Sequence, residues 1–363
     1  KYFGIGKYKP LHSLVLIHKK FINSRSYKIM LDWKKLNQKI LSSSRIVLST
    51  HQNPDGDGLG SASAMYHYIK SLEKDCKIIH ISDFPNQYDF LNQNNAIETY
   101  NESDHDEWMQ TANLALIFDI GAYHRLGILG DILNKNNIYT INIDHHPDLN
   151  DGRFNDNYIN IDAAATGEMV YDFLIDNNIN LNQLMAQGIY TAVMTDTGSF
   201  RHNNTNQKSH KIAMDCIDYG IDNSKIYQSI YENRSKAQVS LLAKVIDNLR
   251  YDSDGQIASF IISREMIKSS GAIPQDVDGF TDFVRTIKGV EISIMIYESD
   301  SNRCRINFRS KGKYKINDVA KSFGGGGHKF AAGAIADGTS EIILQQVIDQ
   351  TKDAMINQYG ASS

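Results

Sequence analysis

Four segments of this chain set metal-competent side chains at short spacings: His51-Gln-Asn-Pro-Asp55-Gly-Asp57, Asp119, Asp144-His145-His146, and Asp196 within Thr195-Asp196-Thr197-Gly198. Imidazole and carboxylate donors without thiolate suit manganese, iron or cobalt better than a structural zinc. Cys76, Cys216 and Cys304 are odd in number and widely separated. They form neither a metal knuckle nor a disulfide framework, and they point to a reducing compartment, the cytoplasm. Near the C-terminus, Gly324-Gly325-Gly326-Gly327 lead into His328. Consecutive glycines let backbone N–H groups approach an anion closely, and His328 can add a side-chain donor. Arg309-Ser310 ends a strand-like run just upstream, and Arg285 is a weaker anion-binding candidate.

Elements that could gather the first set are visible in the hydrophobic pattern. Arg45–Thr50, Lys77–Ser82, Leu114–Phe118 and Ile138–Ile143 read as short buried strands, and Leu59–Leu72 reads as a helix opened by Gly56, Gly58 and Gly60. Strands alternating with helical stretches predict an α/β domain with a parallel sheet and helices on both faces. Three of these strands run directly into His51-x-x-x-Asp55-x-Asp57, Asp119 and Asp144-His145-His146. The carboxyl ends of parallel strands line one edge, where ligands bind. A single Asp after a strand would read as a helix cap or turn residue; the inference rests on their coincidence at one edge. A further helix over Leu181–Val193 runs into Asp196. A carboxylate at the C-terminal end of an apolar helix is disfavoured unless it is paired, capped or bound to a cation.

Residues 205–250 read as helices, including Asn223–Glu232 and Lys236–Asn248, and predict a helical connector. A smaller mixed α/β domain follows over 251–363. Its strands are Ile257–Ile262, Val290–Tyr297 and Arg303–Phe308, and its helices are Ile316–Phe323 and Glu341–Met355. The first domain then spans 30–204. Seven of the 38 Lys and Arg residues, and none of the 42 acids, fall in residues 1–29. That segment lacks a small-residue cleavage site and is expected to be a poorly ordered extension.

A length of 363 residues suits two domains. Composition, at 41 % hydrophobic and 22 % charged, excludes wholesale disorder. No run approaches the ~18 apolar residues of a membrane span. A net charge of −4 disfavours a protein that coats long duplex nucleic acid.

Together the four segments resemble the motifs of the DHH phosphoesterase superfamily. Gly324-Gly-Gly-Gly-His328-Lys-Phe-Ala331-Ala-Gly333 is similar to the signature of its DHH-associated substrate-binding domain. The resemblance covers roughly residues 32–357, and the nearest pattern is the bifunctional oligoribonuclease and pAp phosphatase subfamily (nanoRNases). It implies two divalent cations, manganese first, with cobalt, iron or magnesium as substitutes. His51, Asp55 and Asp119 would hold one ion; Asp57, Asp119, His145 and Asp196 would hold the other, with Asp119 bridging. Two ions about 3.5–4 Å apart activate a water and clamp a phosphoryl group for in-line attack. Asp144 would orient the histidine from behind the ligands, and His146 would face the substrate phosphate and serve as acid. Arg309, Ser310, Gly325, Gly326, Gly327, His328 and Arg285 would bind substrate. The implied partners are short single-stranded RNAs of about 2–5 nucleotides, or nucleotides such as pAp. Oligomeric state stays open, with a homodimer compatible. Cyclic dinucleotides or their linear products are the alternative substrates, and a non-catalytic nucleotide-binding module is the alternative class.

Overall fold

A computed structural model describes residues 31–146 and 152–360; the expected extension over 1–29 lies outside the described residues. The chain divides after Glu232 into two compact units.

In the first unit six parallel strands lie in the order β3-β2-β1-β4-β5-β6: β1 Arg45–Thr50, β2 Asp75–His80, β3 Ile97–Thr99, β4 Leu114–Phe118, β5 Tyr139–Asp144 and β6 Asp156–Ile159. Its helices are α1 Trp33–Ser42, α2 Gly56–Ser71, α3 Glu102–Met109, α4 Ile128–Lys135, α5 Thr166–Asp176, α6 Gln183–Asp196, α7 Gln207–Asp218 and α8 Asn223–Tyr231. Both faces of the sheet are buried, which is why the strands read as apolar runs without polar alternation. Ile46, Leu48, Leu114, Leu116 and Phe118 pack to one side with Leu59, Met169 and Ile189 of α2, α5 and α6. Val47, Ala115 and Ile117 pack to the other with Met109, Leu129 and Leu133 of α3 and α4. Strand order reverses at β1 and β4, the switch point beyond whose carboxyl ends a ligand crevice forms. His51 and Asp119 are the first residues past those two strands.

Helices α2 and α6 approach through glycines. A Cβ on Gly60 would lie 2.4 Å from the Gly188 carbonyl oxygen, and one on Gly188 would lie 2.5 Å from that of Gly60. Asp57 opens α2 and Asp196 closes α6, so this contact helps set the relation between two candidate ligands.

The second unit holds a mixed sheet in the order β11-β12-β10-β9-β8-β7: β7 Arg250–Asp252, β8 Ile257–Ile262, β9 Ile292–Asp300, β10 Arg303–Ser310, β11 Gly326–His328 and β12 Ala331–Asp337. Only β8 and β9 pair in parallel. Its helices are α9 Lys236–Asp247, α10 Arg264–Ser270, α11 Phe280–Arg285, α12 Asn317–Ser322 and α13 Ser340–Gly360. Val319, Leu344 and Val347 of α12 and α13 bury Ile306 and Phe308 on one face. Leu241, Val245, Phe280 and Val284 of α9 and α11 bury Phe260 and Met295 on the other.

The helices expected as a connector are shared between the units. Ile212, Cys216 and Ile226 of α7 and α8 belong to the first core, while Leu241 and Val245 of α9 belong to the second. Among the described residues no helix is long and apolar enough to cross a membrane.

Adding a side chain at the α2–α6 crossing tests its tightness. Gly60→Ala should destabilise the chain by about 1–3 kcal/mol, because backbone must move rather than a flexible side chain. Urea unfolding measures this, and an unchanged midpoint would mean that the helices part without cost.

Candidate metal centre and phosphate-binding face

His51 leaves β1 with its Nδ1 donating to the Gln52 carbonyl at 2.8 Å. That bond fixes the tautomer and turns Nε2 toward two acids, 3.6 Å from Asp55 Oδ2 and 3.8 Å from Asp119 Oδ2. Asp55 is also the N-cap of α2, its Oδ1 accepting the N–H groups of Asp57 at 3.1 Å and Gly58 at 3.2 Å. The cap occupies one oxygen and leaves the other, Oδ2, facing the candidate ligand His51. Asp119 leaves β4 with φ of 55°, a left-handed conformation that a non-glycine residue adopts at a cost of order 1–3 kcal/mol. Its other oxygen, Oδ1, lies 3.5 Å from His145 Nε2. His145 donates Nδ1 to the Ala163 carbonyl at 3.1 Å. Its Nε2 lies 3.7 Å from both Asp57 Oδ2 and Asp196 Oδ2.

All six residues expected as ligands thus gather. Donor atoms of His51, Asp55 and Asp119, and those of Asp57, His145 and Asp196, lie within 4.8 Å of one another in each set. His146 joins a third set with Asp119 and His145, but its Nδ1 already donates to Asp144 Oδ1 at 2.7 Å. The histidine that Asp144 orients is therefore His146, whereas a backbone carbonyl orients His145. The second oxygen of Asp144 accepts the Gly121 N–H at 2.9 Å.

Residues 163–167 hold this centre largely through backbone. Besides Ala163 on His145, the N–H groups of Thr166 and Gly167 donate to the two oxygens of Asp57 at 2.7 and 2.9 Å. Thr166 Oγ1 reaches Asp119 Oδ1 at 3.4 Å. Asn204, which the sequence reading missed, links the same segment to Asp196. Its Nδ2 donates to the Ala164 carbonyl at 2.9 Å and to Asp196 Oδ2 at 3.1 Å. One Asn in an Asn-rich loop gives no sequence signal for such a role.

The electrostatics describe a site short of positive charge. Burial, then the Asp119 carboxylate, pushes Asp57 well above the ordinary carboxyl range, with Asp196 and Asp55 adding to the effect. Burial and the carboxylates of Asp119 and Asp55 lift Asp196 to about 7 against the favourable charge of His145. Burial opposes the charged form of His145, yet the bond to Asp119 and the nearby acids override it and raise the imidazole to about 11. Four carboxylates around two imidazoles, all nitrogen and oxygen donors, fit hard or borderline divalent cations.

Sequence comparison agrees with this geometry. The family model for the N-terminal domain of the DHH family matches residues 45–195, and that for the DHHA1 domain matches 254–357. The chain carries a DHH domain followed by a DHHA1 domain. The chain is similar to the Thermus thermophilus bifunctional oligoribonuclease and PAP phosphatase NrnA, at 26 % identity over 311 residues, covering 85 % of this chain and 89 % of that one. The Bacillus subtilis protein of the same name is 26 % identical over 293 residues, covering 80 % and 88 %. Among solved structures, an exopolyphosphatase-related protein from Bacteroides fragilis superposes with a TM-score of 0.82 at 27 % identity, over 89 % of this chain and 97 % of that one.

In the DHHA1 domain the glycine run expected to approach an anion lies partly in a strand. Gly326–His328 form the edge strand β11, in register with Gly333–Ala331 of β12. A Cβ on Gly325 would lie 2.1 Å from the Gly333 carbonyl oxygen, so close strand packing itself demands glycine there. Gly326 pairs with Gly333, which in turn pairs with Asn307 of β10. This leaves a floor without side chains beside Arg305, Asn307 and Arg309, which alternate with the buried Ile306 and Phe308. Arg309 and Arg285 converge on Asp282, and Ser310 is buried, its hydroxyl accepting the Gly312 N–H at 3.2 Å.

Removing the Asn204 amide should loosen Asp196 without unfolding the domain. Groups that orient metal ligands are worth about 10–100-fold in affinity, so, if Asp196 ligates a divalent cation, Asn204→Ala should weaken the binding of that cation by about tenfold. Calorimetric titration reads this directly, and undiminished affinity would show that Asp196 positions itself.

Proposed function

We propose that this chain is a two-metal phosphoesterase of the DHH family that hydrolyses short oligoribonucleotides, about 2–5 nucleotides long, to mononucleotides, and that also removes the 3′-phosphate of pAp. Manganese is the favoured ion. The observation that carries the reading is the placement of Asp119, whose two oxygens face His51 and His145 separately, at 3.8 and 3.5 Å. A carboxylate aimed both ways serves two adjacent cations. The substrate class follows the names of the relatives and the arginines of the DHHA1 domain.

His51, Asp55 and Asp119 would hold one ion, and Asp57, Asp119, His145 and Asp196 the other. Bound there, the ions supply Lewis acidity that eases deprotonation of a water and neutralises phosphoryl charge. The protein's own contribution is the organisation around them. Nδ1 bonds fix His51 and His145 with Nε2 toward the site. Burial disfavours charge on His146, but its bond to Asp144 together with the nearby charges of Asp119 and Asp144 overrides this and raises its pKa, so it can hold a proton beside the reacting phosphate. From there it stabilises phosphate charge or protonates the leaving oxygen. A pure binding module would have no need of a strained carboxylate shared between two donor sets.

Asp119→Asn keeps the shape but removes the shared charge. Turnover of a dinucleotide and of pAp should fall by at least about a thousandfold, with the unfolding transition retained. Chelator should abolish activity on both substrates and added manganese restore it; hydrolysis that persists in chelator would end the two-metal reading. His146→Ala should lower kcat by about a hundredfold or more while manganese affinity stays within about twofold. A kcat that stays put would remove its acid role. Offering RNAs of two to twenty-four nucleotides in the same assay tests the length preference.

A further inference from the structure

One carboxylate separates the two arginines assigned to substrate phosphate. Asp282 Oδ1 lies 3.2 Å from an Nη2 of Arg285, and its Oδ2 lies 3.2 Å from Nε of Arg309. Backbone carbonyls hold both guanidinium forks from behind: Arg285 Nη1 donates to Ser310 at 3.0 Å, and Arg309 Nη1 donates to Phe308 at 3.0 Å. The arginines are therefore pre-aimed, and the anion between them belongs to the protein. The Asp282 side chain is 42 % exposed, so an incoming anion can reach it. It is tethered to α11 and cannot leave.

We infer that Asp282 is a specificity-determining residue that makes this arginine pair select a terminal phosphate monoester, a dianion, over a phosphodiester, a monoanion. The inference rests on the reading that Arg285 and Arg309 meet substrate phosphate. A monoanion that displaces the carboxylate exchanges one negative charge for another, and it must sit beside the displaced acid. A dianion brings a second charge to the same two guanidinium groups and outweighs that repulsion. Discrimination arises from the built-in repulsive element as much as from the attractive pair. The chemical class favoured is a nucleotide or short oligonucleotide ending in a phosphate, rather than an internal linkage of a longer strand. Arg305 supplies a contrast on the same strand: its Nη2 pairs with Asp278 at 3.0 Å, and among the described residues no second arginine pairs with that acid.

The test compares AMP with 3′,5′-cyclic AMP, one nucleoside carrying either a dianion or a monoanion at pH 8. Both are titrated calorimetrically into the full chain with manganese present; any preference the metal adds between the two ligands is common to every variant and cancels when the ratio is compared from variant to variant. The wild-type chain should bind AMP at least about tenfold more tightly than cyclic AMP. Asp282→Asn should shrink that ratio at least about fivefold, chiefly through tighter cyclic AMP, while Asp282→Glu retains most of it. Asp278→Asn should leave the ratio alone. Asp282→Ser gives a second route should the Asn variant lose its unfolding transition. An unchanged ratio in Asp282→Asn or Asp282→Ser, or an equal change in Asp278→Asn, overturns the inference. Because the ratio is read without turnover, a chain that hydrolyses no oligoribonucleotide sinks the proposed function and leaves this measurement standing.

Discussion

The first unit is organised around an electrostatic constraint: four carboxylates, two of them almost wholly buried, converge on the same few ångströms. Like charges at that spacing in a poorly solvated pocket cannot all ionise on their own. The site answers in part with His145, driven strongly toward its protonated form, and in part by pushing Asp57 and Asp196 toward neutrality. Divalent cations resolve the same conflict more completely. Burial that would be a liability in an ordinary core then becomes a source of affinity.

Convergence of this kind requires rigid carriers. Parallel strands bring His51 and Asp119 to adjacent carboxyl ends at the sheet's switch point, while the glycine contact between α2 and α6 relates Asp57 to Asp196. The 163–167 segment then ties the pieces together with carbonyl and amide groups. Backbone donors and acceptors in that segment have little freedom once α5 begins, so they hold their targets at little entropic cost. The left-handed Asp119 shows that local strain is accepted where one residue must face two ways.

Much of this could be read in the amino-acid order, for a physical reason. Strands buried on both faces write themselves as uninterrupted apolar runs, and ligands placed directly after them stand out by residue type. The four strand runs of the first unit were legible on that basis, as was the gathering of His51, Asp55, Asp57, Asp119 and His145 at one edge; Asp196 stood out instead as an acid at the end of an apolar helix. Asn204 was not legible, because one side-chain amide among several neighbouring asparagines carries no signal; nor were Ala163, Thr166 and Gly167, because a backbone amide or carbonyl leaves no mark on residue identity. The glycine run is ambiguous in sequence for a related reason. Glycine serves close strand packing as readily as anion approach, and here Gly325 and Gly327 abut β12. The sharing of α7, α8 and α9 between units was hidden too: amphipathic periodicity tells that a helix buries a face, not which core receives it. Arg285 and Arg309 were visible singly, but the acid that joins them was not.

Asp55 turns one oxygen to a helix and the other to a candidate cation site. The helix bonds are neutral-donor contacts that need no metal, so α2 begins at the same residue whether or not its neighbour is loaded. Loading then resembles filling a socket rather than folding a finger, and depletion need not melt the turn. Asparagine could keep the turn and lose the charge; glutamate could keep the charge and lose the turn. At this corner of the molecule a single methylene decides whether architecture and chemistry can share one side chain.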